Sequence, residues 1–109
     1  MDRITITKDL IPYNFDISLT GGVYNLRIDY NQTGDFFTVG IKKDGIDLCI
    51  GDKVVYGKPL FGDFSSTDDF PMIDIVPYDE SGMSKEVTYD NLGRTVFLTL
   101  DNGIVSIQE

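Results

Sequence analysis

The residues with chemistry to offer are carboxylates. Asp63, Asp68, Asp69, Asp74, Asp79, Glu80, Glu86 and Asp90 fall within residues 60–91, where Lys85 is the only base. Clustered oxygens of this kind suit a hard cation such as calcium. A facing pair would suit acid–base hydrolysis of a glycoside. The spacing of the aspartates in Phe64–Asp79 matches no calcium loop, and a chain of 109 residues rarely encloses the deep cleft a glycosidase needs. The segment therefore reads as a solvated acidic stretch. Histidine is absent, which removes the imidazole base, the imidazole metal ligand and the pH switch near neutrality. Cys49 is the only cysteine, so there is no internal disulfide, no Cys-x-x-Cys pair and no cysteine-rich zinc site. No cation is implied beside it, and it reads as a passive small residue rather than a nucleophile. Phosphate-cradling loops, dinucleotide glycine motifs and nucleophile elbows are missing as well. The expectation is a non-enzyme with no cofactor and no metal.

The net charge of −9 argues against nucleic acid as a primary ligand and against anionic membranes. It favours solubility or a basic partner. Met1–Thr5 has no signal-peptide architecture, and no apolar run reaches the length of a membrane span. The lone thiol suits a reducing cytosol. Asn31-Gln32-Thr33 matches a glycosylation sequon but reads as a loop. Tyr24 and Tyr30 read as core residues with a wet tip. Tyr56, Tyr78 and Tyr89 serve equally as core or as interface anchors.

The elements that must position these residues are strands. Twelve Ile, eight Val and nine Thr join six Tyr and seven Phe, while Ala and Trp are absent. Aspartate, a turn residue, outnumbers glutamate fifteen to three, and eleven glycines supply turns.

Opposed residues across a hairpin have index numbers adding to a constant. A Gly21-Gly22 turn sets that constant at 43 and places Leu19, Ile17 and Phe15 opposite Tyr24, Leu26 and Ile28, with Asp16 opposite Arg27. A loop at Asn31–Gly34 sets it at 65, with Ile28, Leu26 and Tyr24 opposite Phe37, Val39 and Ile41. Asp44-Gly45 sets it at 89, with Ile41 and Val39 opposite Leu48 and Ile50, and Lys42 opposite Asp47. One apolar face survives all three turns, as an antiparallel sheet with one buried side requires. Residues 13–50 are thus predicted to form a four-strand meander. Asn102-Gly103 predicts a hairpin over 95–108, with Leu98 opposite Ile107 and Leu100 opposite Val105.

Residues 1–10 alternate through Ile4 and Ile6 and predict an N-terminal strand or an arm exchanged with a neighbour. Residues 51–91 are irregular, with short strands expected at Val54–Tyr56 and Met72–Val76, the latter bracketed by Pro71 and Pro77. The predicted fold is all-β: a single domain, 1–109, forming a small antiparallel β-sandwich or partly open barrel. It is built from the four-strand meander plus the C-terminal hairpin.

The ordered run Ile11-Pro12, Phe15–Leu19, Gly22–Asn31, Phe37–Ile41, Asp44-Gly45-Ile46, Gly57–Leu60 and Asp90–Leu98 resembles a family of small baseplate proteins. These are the plug proteins of contractile-tailed phages, typified by a cyanophage baseplate. The resemblance spans about residues 11–100. It departs at Phe36-Phe37, where the family often has Trp, and in the acidic stretches Ser65–Asp69 and Tyr78–Tyr89. It carries no catalytic residues. It implies a non-enzymatic virion component of the tail baseplate, made in the host cytoplasm. Such a protein would sit near the tail axis and contact hub, tail tube and tape-measure proteins. A prophage or phage-tail-like bacteriocin is an equally compatible source. The rival reading is a free-standing β-sandwich module that binds protein or carbohydrate. A place on a tail axis implies a homo-oligomer or docking within threefold or sixfold surroundings. The candidate interface residues are Ile4 and Ile6 of the arm, with Asp68, Asp69, Tyr78, Asp79 and Tyr89 of the acidic segment.

Overall fold

In the computed structural model, the structure describes residues 3–19, 22–62, 70, 71 and 73–101. Among the described residues, seven strands run in the order β1 (Arg3–Ile4), β2 (Tyr13–Leu19), β3 (Gly22–Asn31), β4 (Phe36–Lys43), β5 (Ile46–Lys53), β6 (Asp74–Tyr78) and β7 (Phe97–Asp101). They form two antiparallel sheets, β2-β3-β4-β5 and β1-β7-β6, which do not close into a barrel. One hydrophobic core draws on both: Tyr24, Leu26, Ile28, Phe37, Val39 and Ile41 from the larger sheet, and Ile4, Ile75 and Leu98 from the smaller.

The meander is present with its apolar face intact, but two of its registers differ from expectation. Across β2 and β3 the partners are Tyr13 with Ile28, Phe15 with Leu26 and Ile17 with Tyr24, a constant of 41. Gly22 opens β3 at φ 147°, a setting other residues rarely adopt, instead of serving the turn. Asp16 therefore faces Asn25, whose amide donates to it at 3.0 Å, while Arg27 pairs along its own strand with Asp29 at 2.9 Å. Across β3 and β4 the constant is 67. Asn31 belongs to the strand, and its side chain closes the following turn by accepting the Gly34 amide at 2.9 Å. Each error is a slip of two, which preserves strand parity and so leaves the buried face unchanged.

The third register holds at Lys42–Asp47 and Lys43–Ile46, then fails. Two bulges give β5 two extra residues, so Ile41 faces Cys49 and Val39 faces Asp52. Ile50, expected on the apolar face, is 82% exposed, and Cys49, expected on the other, packs half-buried against the core.

Four further expectations are corrected. The N-terminal strand is only two residues long and gives way to a 3₁₀ turn at Lys8–Leu10. Val54–Tyr56 is not a strand, although Val54 is buried and its amide donates to the Phe37 carbonyl at 2.9 Å. Pro77 lies within β6 instead of ending it. β6 is an edge strand, where a missing N–H costs no ladder bond. Tyr24 has no wet tip: it is 1% exposed, and its hydroxyl has no partner among the described residues. The second half of the expected C-terminal hairpin, residues 102–109, lies outside the described residues.

Candidate interaction surface

Tyr89 is 39% exposed and is held by three separate parts of the chain. Its ring lies 4.9 Å from that of Tyr30 at the end of β3 and 6.0 Å from that of Phe37 in β4, nearly parallel to the latter. Tyr30 and Phe37 are themselves 4.8 Å apart. Lys8 of the 3₁₀ turn sets its ammonium 4.9 Å from the Tyr89 ring centroid and donates to the Tyr89 carbonyl at 2.7 Å. Asp35, at φ 52° in the β3–β4 turn, accepts from the Tyr30 hydroxyl at 2.6 Å and from the Tyr89 amide at 3.2 Å with the same oxygen. The cleft beside this cluster has a volume of about 520 Å³ and is lined by Lys8, Ile11, Pro12, Asp29, Tyr30, Gln32 and Tyr89.

The segment that carries Tyr89 is built around Asn91. Its side chain accepts the Thr88 amide at 2.8 Å and donates to the Glu86 carbonyl at 2.9 Å. Its own carbonyl accepts the amides of Arg94, Thr95 and Val96, each at 3.0 Å. Leu92 is buried beneath, and Gly93 turns the chain at φ 84°. The stretch 88–96 is thus a compact turn, leading into β7, that hands Tyr89 to the aromatic cluster.

The Tyr30 hydroxyl is pushed up to about 12, first by its hydrogen bond to Asp35 and then by burial and the negative charge of Asp35. The fold therefore gains from the neutral phenol. That gain is complete below the ordinary value of 10.0 and disappears as pH rises through about 12. In an ultraviolet titration of the folded chain, Tyr30→Phe should remove the phenolate that forms near 12, and Asp35→Asn should move it to lower pH.

The sequence-predicted residues separate into distinct places. Tyr78 is 41% exposed, with its ring 5.9 Å from Tyr56, and belongs to a different aromatic pair from Tyr89. Asp79 follows it but is only 1% exposed. Its carboxylate accepts from the Ser81 hydroxyl at 2.6 Å, the Ser81 amide at 2.8 Å and the Ser84 amide at 2.9 Å. These bonds, the Ser81 hydroxyl foremost, hold its carboxyl below the usual range against the opposing effect of burial. Asp79 organises its loop from inside. Ile4 and Ile6 are core residues at 3% and 8% exposure, and β1 pairs with β7 of its own chain. Asp68 and Asp69 lie outside the described residues.

Lys8, Tyr30, Asp35 and Asn91 are the participants that sequence reasoning missed. A Thr-x-x-Asn step at Thr88–Asn91 was the available signal for the last of them. Among the described residues, no group of three or more Cys, Asp or Glu side chains could hold a metal ion. Burial, with Asp52 nearby, pushes the Cys49 thiol up and so disfavours the thiolate.

No curated protein matches the chain. A family of phage proteins does, the one described as the cyanophage baseplate Pam3 plug gp18, over residues 1–103. That match takes in both sheets, the 3₁₀ turn and the Asn91 turn that presents Tyr89. By this measure the chain belongs to the baseplate plug family.

Proposed function

We propose that the chain is a structural plug of a phage or phage-like tail baseplate that sits near the tail axis and docks on hub, tube or tape-measure proteins through the Tyr89 face. The family match over residues 1–103 carries this reading and supports a structural role within the baseplate. The docking face rests on geometry. Binding energy at protein interfaces concentrates in a few aromatic anchors, and an anchor held in place before contact loses less entropy on binding. Tyr89 meets both conditions through Tyr30, Phe37, Lys8 and Asp35. The acidic balance of the chain favours a basic surface around the partner's pocket.

Complementation of tail particles that lack this protein tests the reading. Wild type and Tyr89→Phe should enter the baseplate, and Tyr89→Ala should be lost from it while keeping its circular dichroism spectrum. Normal incorporation of Tyr89→Ala would remove the docking face. Absence of the wild-type chain from purified baseplates would remove the whole proposal.

A further inference from the structure

Carboxylates outnumber cations in this chain by 18 to 9, so an arginine without an acid partner does not lack candidates. Arg27 pairs with Asp29, and Lys42 with Asp47. Arg3 and Arg94 are different. Both are exposed, and among the described residues neither side chain forms an ion pair or donates a hydrogen bond. Yet the two line one cavity of about 220 Å³. The fold places each of them there. β1 pairs Arg3 with Thr99 of β7, and its guanidinium lies 4.0 Å over the ring of Phe97, two residues earlier in β7. Arg94 stands in the turn before β7, with its amide bonded to the Asn91 carbonyl. An arginine stacked on a ring keeps its in-plane N–H groups for an oxygen ligand and has less freedom to lose on binding.

Two carboxylates border the same cavity, and neither takes the arginines. Asp79 is buried and turns its oxygens to the Ser81 hydroxyl and amide and the Ser84 amide. Glu80 is exposed and has no ion pair among the described residues. Their negative charges offset the two guanidinium groups, so the cavity favours an anion of low charge. We propose that Arg3 and Arg94 together bind a carboxylate side chain from an acidic segment of a partner protein. The planar guanidinium forks match the two oxygens of a carboxylate. A phosphate dianion would meet Asp79 and Glu80 with twice the repulsion. A second copy would bring its own charge of −9, whereas a short acidic segment brings only the charges it presents within the screening length of about 8 Å. The site shares no residue with the cleft beside Tyr89 and prefers a partner surface of opposite sign, so it goes beyond the docking proposed there.

The chain has three arginines, so its arginine Nε–H signals in an NMR spectrum number three, and Arg27, already paired with Asp29, serves as the internal control. The probe is the blocked peptide Gly-Glu-Gly-Glu-Gly, added to the isotope-labelled full-length chain at constant ionic strength. The Arg3 and Arg94 signals should shift together and saturate with one dissociation constant while Arg27 stays in place. Arg94→Gln removes no side-chain contact that holds the fold, and it should weaken the response of Arg3 about fivefold. Glu80→Gln should strengthen that response about two- to threefold. The same peptide with Gln in place of Glu should leave every signal unmoved. Absence of a saturable shift overturns the proposal, as does an equal drift of all the arginine signals, which is general screening. A larger response to inorganic phosphate than to the peptide would overturn the carboxylate assignment. Arg3 and Arg94 shifts that follow protein concentration without peptide would overturn the partner and give the site to a second copy.

Discussion

Replacing Phe37 with Ala should cost about 3–5 kcal/mol of folding stability, the range for deleting a buried aromatic side chain. Domains of this size have about 5–15 kcal/mol in total, so the variant should sit close to unfolding. The size of the effect follows from position. Phe37 is 0% exposed at the start of β4, its carbonyl accepts the Val54 amide, and its ring contacts both Tyr30 and Tyr89. In urea titrations the midpoint should fall with little change in slope. Phe37→Leu should recover much of the loss, since it refills part of the cavity. A midpoint for Phe37→Ala equal to that of the wild type would contradict the packing described. Docking through Tyr89 should weaken in both variants, because both remove the ring that lies parallel to it.

The second large effect is expected from deleting residues 1–9. As a free arm this segment would be dispensable for folding. The structure instead buries Ile4 and Ile6 and pairs β1 with β7. Losing two buried isoleucines removes about 3–6 kcal/mol of apolar burial. The deletion also removes Arg3, whose guanidinium lies 4.0 Å over the Phe97 ring, and Lys8 from the Tyr89 cluster. The truncated chain should lose cooperative thermal unfolding, while Ile4→Val and Ile6→Val should keep it at a lower midpoint. A truncated chain that melts like the intact one would show that β1 is not part of the core. Assembly defects of such a deletion therefore report folding first and contact second.

The contrast between Leu26 and Ile50 shows what was legible in the sequence. Leu26 lies in a stretch whose alternation is unbroken, and any register slip by two keeps it on the buried side. The meander and its face could be read without locating the turns. Ile50 lies past the first of the two bulges, a shift of one that turns it to the exposed face, and a bulge depends on how a strand must bend over its sheet, which local alternation does not encode. Asp79 was legible as an acid in a charged stretch but not as a buried one. Its environment depends on Ser81 and Ser84 folding back over it. Tyr89 was legible as a type of residue suited to an interface. The neighbours that fix it come from β3, β4 and the N-terminal turn, far away in sequence, and only the tertiary fold brings them together. The resemblance to plug proteins rests on the order of short motifs, and one of these, Asp90–Leu98, contains most of the turn that presents Tyr89.

Asn91 holds that turn with a single side chain and a single carbonyl, which together bond groups from Glu86 to Val96. The carbonyl's three bonds survive a change of side chain, and the Leu92 amide on the Thr88 carbonyl and the Gly93 amide on the Val96 carbonyl brace the turn without Asn91. The pose of Tyr89 thus rests on two tiers, a side chain that ties Glu86 to Thr88 and a backbone that closes the turn behind them, so a substitution at Asn91 loosens the first tier and leaves the second standing.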